Sequence, residues 1–173
     1  SLAGEFDAAM QAFLDTEISA WSQSSEIVEA IHGQNAENAG LDQAQIDALD
    51  LAWRGEIGTS ATPTIDPVLQ SVAADFLRGR VDASGGRITE VFIMDRHGLN
   101  VAASAITSDM WQGDEAKDQE TYLVGADAVH VSDIEKDESS GRYQGQVSFT
   151  GVDPASGDIL GAMTVGCEAD APF

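Results

Sequence analysis

A change of period at Arg87 constrains this chain more than any other feature. Before it, apolar residues recur at three- and four-residue steps; after it they gather in short β-branched and aromatic runs. Leu2, Phe6, Met10, Phe13, Leu14, Ile18, Trp21, Val28 and Ile31 predict helix from 2 to about 32, with Gly33 as a stop and the polar Ser22 to Ser25 as a bend or second start. Asp42 is placed to cap a helix carrying Ile46, Leu49 and Trp53, which the run from Gly58 to Pro63 breaks. Another helix is expected from about Pro67 to Gly79. Asp66 would be its N-cap, Pro67 its first residue, and Val68, Leu69, Val72, Phe76 and Leu77 its buried face.

Beyond Arg87, Ile88 to Met94 and Leu99 to Ser104 flank the turn Asp95-Arg96-His97-Gly98 and read as a hairpin. Residues 128–132, 143–150 and 159–166 form three more strand-like runs, parted by turn chemistry at 137–141 and 153–157. Helices followed by antiparallel strands define the α+β class. The expectation is one domain across 1–173, helical over 1–80 and sheet over 88–168.

Charge narrows the function. Eight Lys and Arg stand against thirty Asp and Glu, a formal charge of −22 over 173 residues. Such a surface cannot neutralise a phosphate backbone, so nucleic acid is excluded as a partner, and anionic membranes repel it. With 43% hydrophobic residues the chain still has the material for a core. Cys167 is alone, which rules out an intramolecular disulfide or a CxxC pair. No stretch approaches the roughly 20 apolar residues of a membrane span. Ser1-Leu2-Ala3-Gly4-Glu5 lacks the features of a signal peptide, so the chain is expected to be cytosolic or already trimmed. With only Lys117 and Lys136 as lysines, its composition also suits salty external water.

GxSxG, HExxH, P-loop and GxGxxG patterns are all missing, and His32, His97 and His130 lack ligand-type spacing. The expectation is therefore no catalysis, no metal site and no cofactor. Alternate carboxylates from Asp133 onward lack the Gly and closing Glu of an EF-hand loop and read as a solvated hairpin. The segment Thr107 to Tyr122 is different. It is too polar for core yet carries Trp111, Lys117 and Tyr122, and aromatic walls with a few placed charges are what a small-molecule pocket uses. Trp111 as a plug for one end of the sheet is the competing reading.

Gly86 to Ser104, with its strand ending in hydrophobic-Asp-x-x-Gly, resembles the opening of the PAS-like extracytoplasmic sensor domains of the Cache or PDC type. The resemblance continues through Gly125-Ala-Asp-Ala-Val-His-Val-Ser-Asp133 and through the last hairpin, Gln146 to Val165. It implies a five-stranded antiparallel sheet flanked by a long N-terminal helix, with a ligand cleft between one sheet face and the connector 105–124. Members of this family bind amino acids, carboxylates, amines or related metabolites there, and by position Asp133 matches the acid that holds a ligand ammonium. The Arg-x-Trp-Tyr cluster of amino-acid-binding members is not intact: Lys117 and Gln119 stand near it, Asp118 falls where an aromatic is expected, and Trp111 lies upstream. That departure argues against an amino-acid ligand.

The resemblance thus implies a periplasmic or extracytoplasmic sensor module that binds a small molecule through Trp111, Lys117, Tyr122 and Asp133. A membrane signalling partner is implied as well. The N-terminal helix could support a homodimer, although its apolar stripe could equally be used to cover the sheet. The alternative is a ligand-free accessory module acting by protein contact with a membrane receptor.

Overall fold

A computed structural model describes residues 2–136 and 141–169. Helices α1 (Leu2–Thr16), α2 (Ser25–Glu37), α3 (Gln43–Glu56), α4 (Asp66–Leu69) and α5 (Val72–Ala83) precede the strands. Strands β1 (Ile88–Met94) and β2 (Asn100–Ala103) come next, then the short helix α6 (Ala116–Gln119), β3 (Val129–Val131), β4 (Glu135–Lys136), β5 (Tyr143–Val152) and β6 (Ile159–Glu168). The sheet is antiparallel in the order β2-β1-β6-β5-β3, and β4 also pairs with β5. This is the expected α+β, PAS-like arrangement with a sixth, two-residue strand added to the five. The turn expected at 137–141 lies outside the described residues apart from Gly141.

Two expectations about the helices change. The first helical stretch makes the second start expected at Ser22 to Ser25, with a 3₁₀ turn at Ile18–Ala20 between α1 and α2, and what changes is its end. Ser24 Oγ donates to the Trp21 carbonyl at 2.7 Å and its backbone is extended, so the chain restarts there. Ile18, in the 3₁₀ turn, and Trp21, just after it, are both buried. Gly33 does not stop α2, which runs on to Glu37 because Asn35 is anchored: its amide donates to the Leu160 carbonyl and its carbonyl oxygen accepts from Arg96 N–H.

The second change is at 66–83. Ile65, not Asp66, is the N-cap of α4, and the helix breaks at Gln70 and Ser71. Ser71 Oγ then accepts from Ala74 N–H at 3.1 Å and starts α5. The restart shifts the face. Val72 is exposed and Ala73 and Ala74 are buried in its place, while Val68 and Leu77 are buried as expected. The Asp42 cap is as expected, a reciprocal box in which Asp42 accepts from Gln45 N–H and Gln45 Oε1 from Asp42 N–H, both at 2.9 Å.

The sheet has an apolar group on each face. On the helix face, Val91, Ile93, Val147, Met163, Val165 and Cys167 pack with Phe6, Met10, Phe13, Leu14, Ile18, Trp21, Ile27, Ile31 and Leu77. The apolar stripe of α1 is therefore buried within the chain. On the opposite face, Phe92, Met94, Ala103 and Ala162 pack with Ile46, Trp53, Ile65, Val68, Leu99 and Met110. That second group covers only part of its face. Farther along the same strands come Glu90, Gln146, Ser148, Thr164 and Gly166, paired across β1, β6 and β5, and there the connector lies over the sheet.

Candidate functional site

Three anchors fix the connector. Asp50 Oδ1 on α3 accepts the backbone N–H groups of Met110 and Trp111 at 3.0 Å each, and Trp53 Nε1 donates to the Thr107 carbonyl at 2.8 Å. Trp111 forms a bridge with Leu99, and its Nε1 donates to the His97 carbonyl at 2.8 Å. The contact demands glycine nearby: a Cβ on Gly113 would sit 2.4 Å from Trp111 Nε1, and one on Gly98, whose φ is +84°, would meet the Gly113 backbone at 2.7 Å. Trp111 thus ties the connector to the hairpin turn.

That turn is itself a junction. Asp95 Oδ1 accepts from His97 N–H and Leu99 N–H, and its Oδ2 accepts from Gln34 Nε2 at 3.0 Å and Asn38 Nδ2 at 3.4 Å. The end of helix α2 and the hairpin are thereby joined through one buried carboxylate, and Trp111 adds the connector to the same turn.

Past Trp111 the connector makes a single helical turn, α6, which packs over β5 and β6. A cleft of about 320 Å³ opens beside it. Glu90 comes to the cleft from β1, Gln144 and Gln146 from β5, Gly166 from β6, Glu115 and Lys117 from the connector, and Ser132, Asp133 and Glu135 from the β3–β4 stretch. Lys117 and Asp133, far apart in sequence, line the same cleft. Trp111 and Tyr122 do not; both pack against the second apolar group.

Among the described residues four carboxylates line this cleft against one cation, so their balance is acidic. Lys117 Nζ lies 3.7 Å from Glu115 Oε1 and 5.4 Å from the centre of the Phe92 ring, which holds the ammonium over the sheet. Burial raises the Glu115 carboxyl above its ordinary range, and nearby Lys117 only partly offsets that. Its Oε2 is buried without a hydrogen-bond partner among the described residues. Glu90 is oriented by Gln146 Nε2, which donates to its Oε1 at 3.1 Å; Gln146 also exchanges backbone and side-chain hydrogen bonds with Ser132.

Asp118, on the same turn, is 2% exposed. Burial, with the charge of Asp95 added, pushes its carboxyl up to about 6, and its Oδ1 has no partner among the described residues. Beneath the connector Ser148 and Thr164 hydrogen-bond to one another at 2.8 Å, fully buried. Cys167 faces the other way. Burial pushes its thiol up to about 12, so it stays protonated and inert.

Among the described residues no group of three or more His, Cys, Asp or Glu side chains is placed to hold a metal ion, and no helix is long and apolar enough to cross a membrane. Glu90, Glu115, Glu135 and Gln146 were not singled out from the sequence. Glu90 alone carried a signal, as the one acid inside the apolar run of β1.

No family model matches the sequence, and no curated protein does. Solved structures do match. The sensor domain of the V. cholerae histidine kinase DctB superposes with a TM-score of 0.51 at 17% identity, over 98% of this chain and 54% of that one. The ligand-binding domain of the Pseudomonas aeruginosa PAO1 amino acid chemoreceptor PctC, solved with GABA, matches at TM-score 0.42 and 13% identity, over 96% of this chain and 58% of that one. The ligand-binding domain of the Campylobacter jejuni chemoreceptor Tlp3, solved with 4-methylisoleucine, matches at 0.42 and 12%, over 91% and 62%. This chain spans about half the length of the DctB domain and under two thirds of the other two. It has the fold of a histidine-kinase sensor domain, in agreement with the Cache/PDC-type arrangement expected from the sequence.

Proposed function

We propose that this chain is an extracytoplasmic sensor module that binds a small amine-bearing metabolite in the cleft beside α6 and does no chemistry on it. The observation that carries this reading is the cleft itself, walled by Glu90, Glu115, Asp133 and Glu135 with Lys117 as the single opposing cation among the described residues. An ammonium group entering there supplies donors to carboxylates that have few. It also gives a donor to the buried Glu115 Oε2, which has none among the described residues. Lys117 is free to hold an electronegative group at the far end of the ligand.

Signal transfer follows from the anchors. A ligand drawing Glu115 and Lys117 toward Glu90 pulls on a connector whose other end is bound to Trp53, Asp50 and the Asp95 turn, and that turn grips Gln34 and Asn38 of α2. Ligand binding shifts such an equilibrium only by its preference for the closed connector. The output is read by a membrane signalling partner in contact with the helical layer.

The test is a thermal-shift titration with small mono- and diamines against the matching carboxylates, on the wild type and on Glu115→Gln and Asp133→Ala. An amine at a hundred times its Kd stabilises by about 2.7 kcal/mol, and both substitutions should weaken that response at least tenfold. Trp111→Phe should lower stability and leave amine affinity unchanged. Indifference to every amine overturns the reading, as does a response untouched by both cleft substitutions. A stoichiometric protein partner recovered with an empty cleft would favour the ligand-free accessory module.

A further inference from the structure

The helix face carries a second hollow of opposite character. It measures about 310 Å³, at the small end of the roughly 300–1,000 Å³ of small-molecule pockets. It lies where α1 ends, α5 meets β1, and the break before α2 leaves room. Arg80 and Arg87 line it together with Glu17, Phe13, Trp21 and Ser84. Two of the chain's eight cations therefore meet one carboxylate here, a local charge of +1 in a chain of −22.

The two arginines are prepared differently. Arg87 is held rigidly: Nη1 and Nη2 donate to the two Glu17 oxygens at 2.9 and 2.7 Å, Nε donates to the Ser84 carbonyl at 3.2 Å, and the guanidinium lies 5.1 Å from the centre of the Phe13 ring. Of its five N–H groups three are used, which leaves two. Arg80 lies 5.1 Å from the centre of the Phe76 ring, and among the described residues no carboxylate stands within ion-pair distance of it. An uncompensated guanidinium beside a pre-oriented one, over an apolar floor, matches a planar carboxylate on a flat apolar body.

We propose that this hollow is a second ligand site, for an aromatic monocarboxylate. The carboxylate takes Arg80 and the spare donors of Arg87, and the ring lies on Phe13 and Trp21. The site is independent of the acidic cleft, although β1 borders both: Arg87 and Ile88 line the hollow, Thr89 and Glu90 the cleft.

Calorimetric titration with sodium benzoate tests this, with benzyl alcohol as the uncharged control. Saturable binding of benzoate at millimolar concentration is expected, weakened at least tenfold by Arg80→Gln and largely restored by Arg80→Lys. The melting temperature without ligand should be the same in all three proteins. Asp133→Ala, in the other cleft, should leave benzoate affinity unchanged. The proposal is overturned by failure of benzoate to bind, by equal binding to the Arg80→Gln variant, or by benzyl alcohol binding as well as benzoate.

Discussion

The two faces of the sheet use the same three long strands for opposite ends. On the helix face, alternate residues of β1, β5 and β6 are aliphatic and meet the apolar stripes of α1, α2 and α5. On the connector face the strands are apolar only at the β2 end; elsewhere they carry Glu90, Gln146, Ser148 and Thr164 beneath a polar segment. Four of the five buried side-chain oxygens left without a hydrogen bond among the described residues belong to Asn100, Gln112, Glu115 and Asp118, on the hairpin and the connector. The helix face is filled by apolar side chains, whereas the connector side keeps these oxygens without a donor. That difference suits the proposed ligand site, since a surface with unsatisfied groups has free energy to gain when a donor arrives.

The contrast can be broken by substitution. Ile93→Ala, on the fully packed face, should cost about 3 kcal/mol, read as a lower denaturant midpoint; a loss under about 1 kcal/mol would show that the helix face is not the rigid one. Asp118→Asn should act in the other direction. Its folded carboxyl titrates at about 6 against an ordinary 3.8, so between those values the folded state holds the extra proton. Raising pH through that window removes stability from the wild type. The substitution should therefore give no gain near pH 4 and a gain of order 1 kcal/mol above pH 6.5, seen as the difference between the two melting curves. The smallest effect is expected from the pair Ser148→Ala with Thr164→Val. Removing both partners of a buried hydrogen bond is nearly neutral, within about 0.5 kcal/mol, whereas either single change should be the more damaging.

Much of this architecture was legible in advance, for reasons that differ by element. The Asp42 cap, the Asp95–Gly98 turn and the long strands depend on residues a few positions apart, and each appeared where expected. The second start at Ser22–Ser25 was marked by its polar run, whereas the break at Gln70–Ser71 was not, because apolar spacing continues from Val68 and Leu69 through Val72 to Phe76 and Leu77. The site divides in the same way. Lys117 and Asp133 were chosen on local grounds and line one cleft, while Trp111 and Tyr122, chosen for their rings, pack against the apolar group beside it. An aromatic side chain in a polar segment has no local marker that separates a ligand wall from a plug.

From its sequence alone this protein's class, its acidic charge, its helices-then-strands order and its first hairpin turn were determined, because periodicity, capping and turn chemistry act over a few residues. Tertiary structure alone decided which charges share a hollow. Glu90 meets Gln146 across 56 residues, and Arg87 meets Glu17 across 70. Strand pairing and helix docking set those meetings, and desolvation, which gives each charge its partner preference, depends on neighbours in space rather than along the chain.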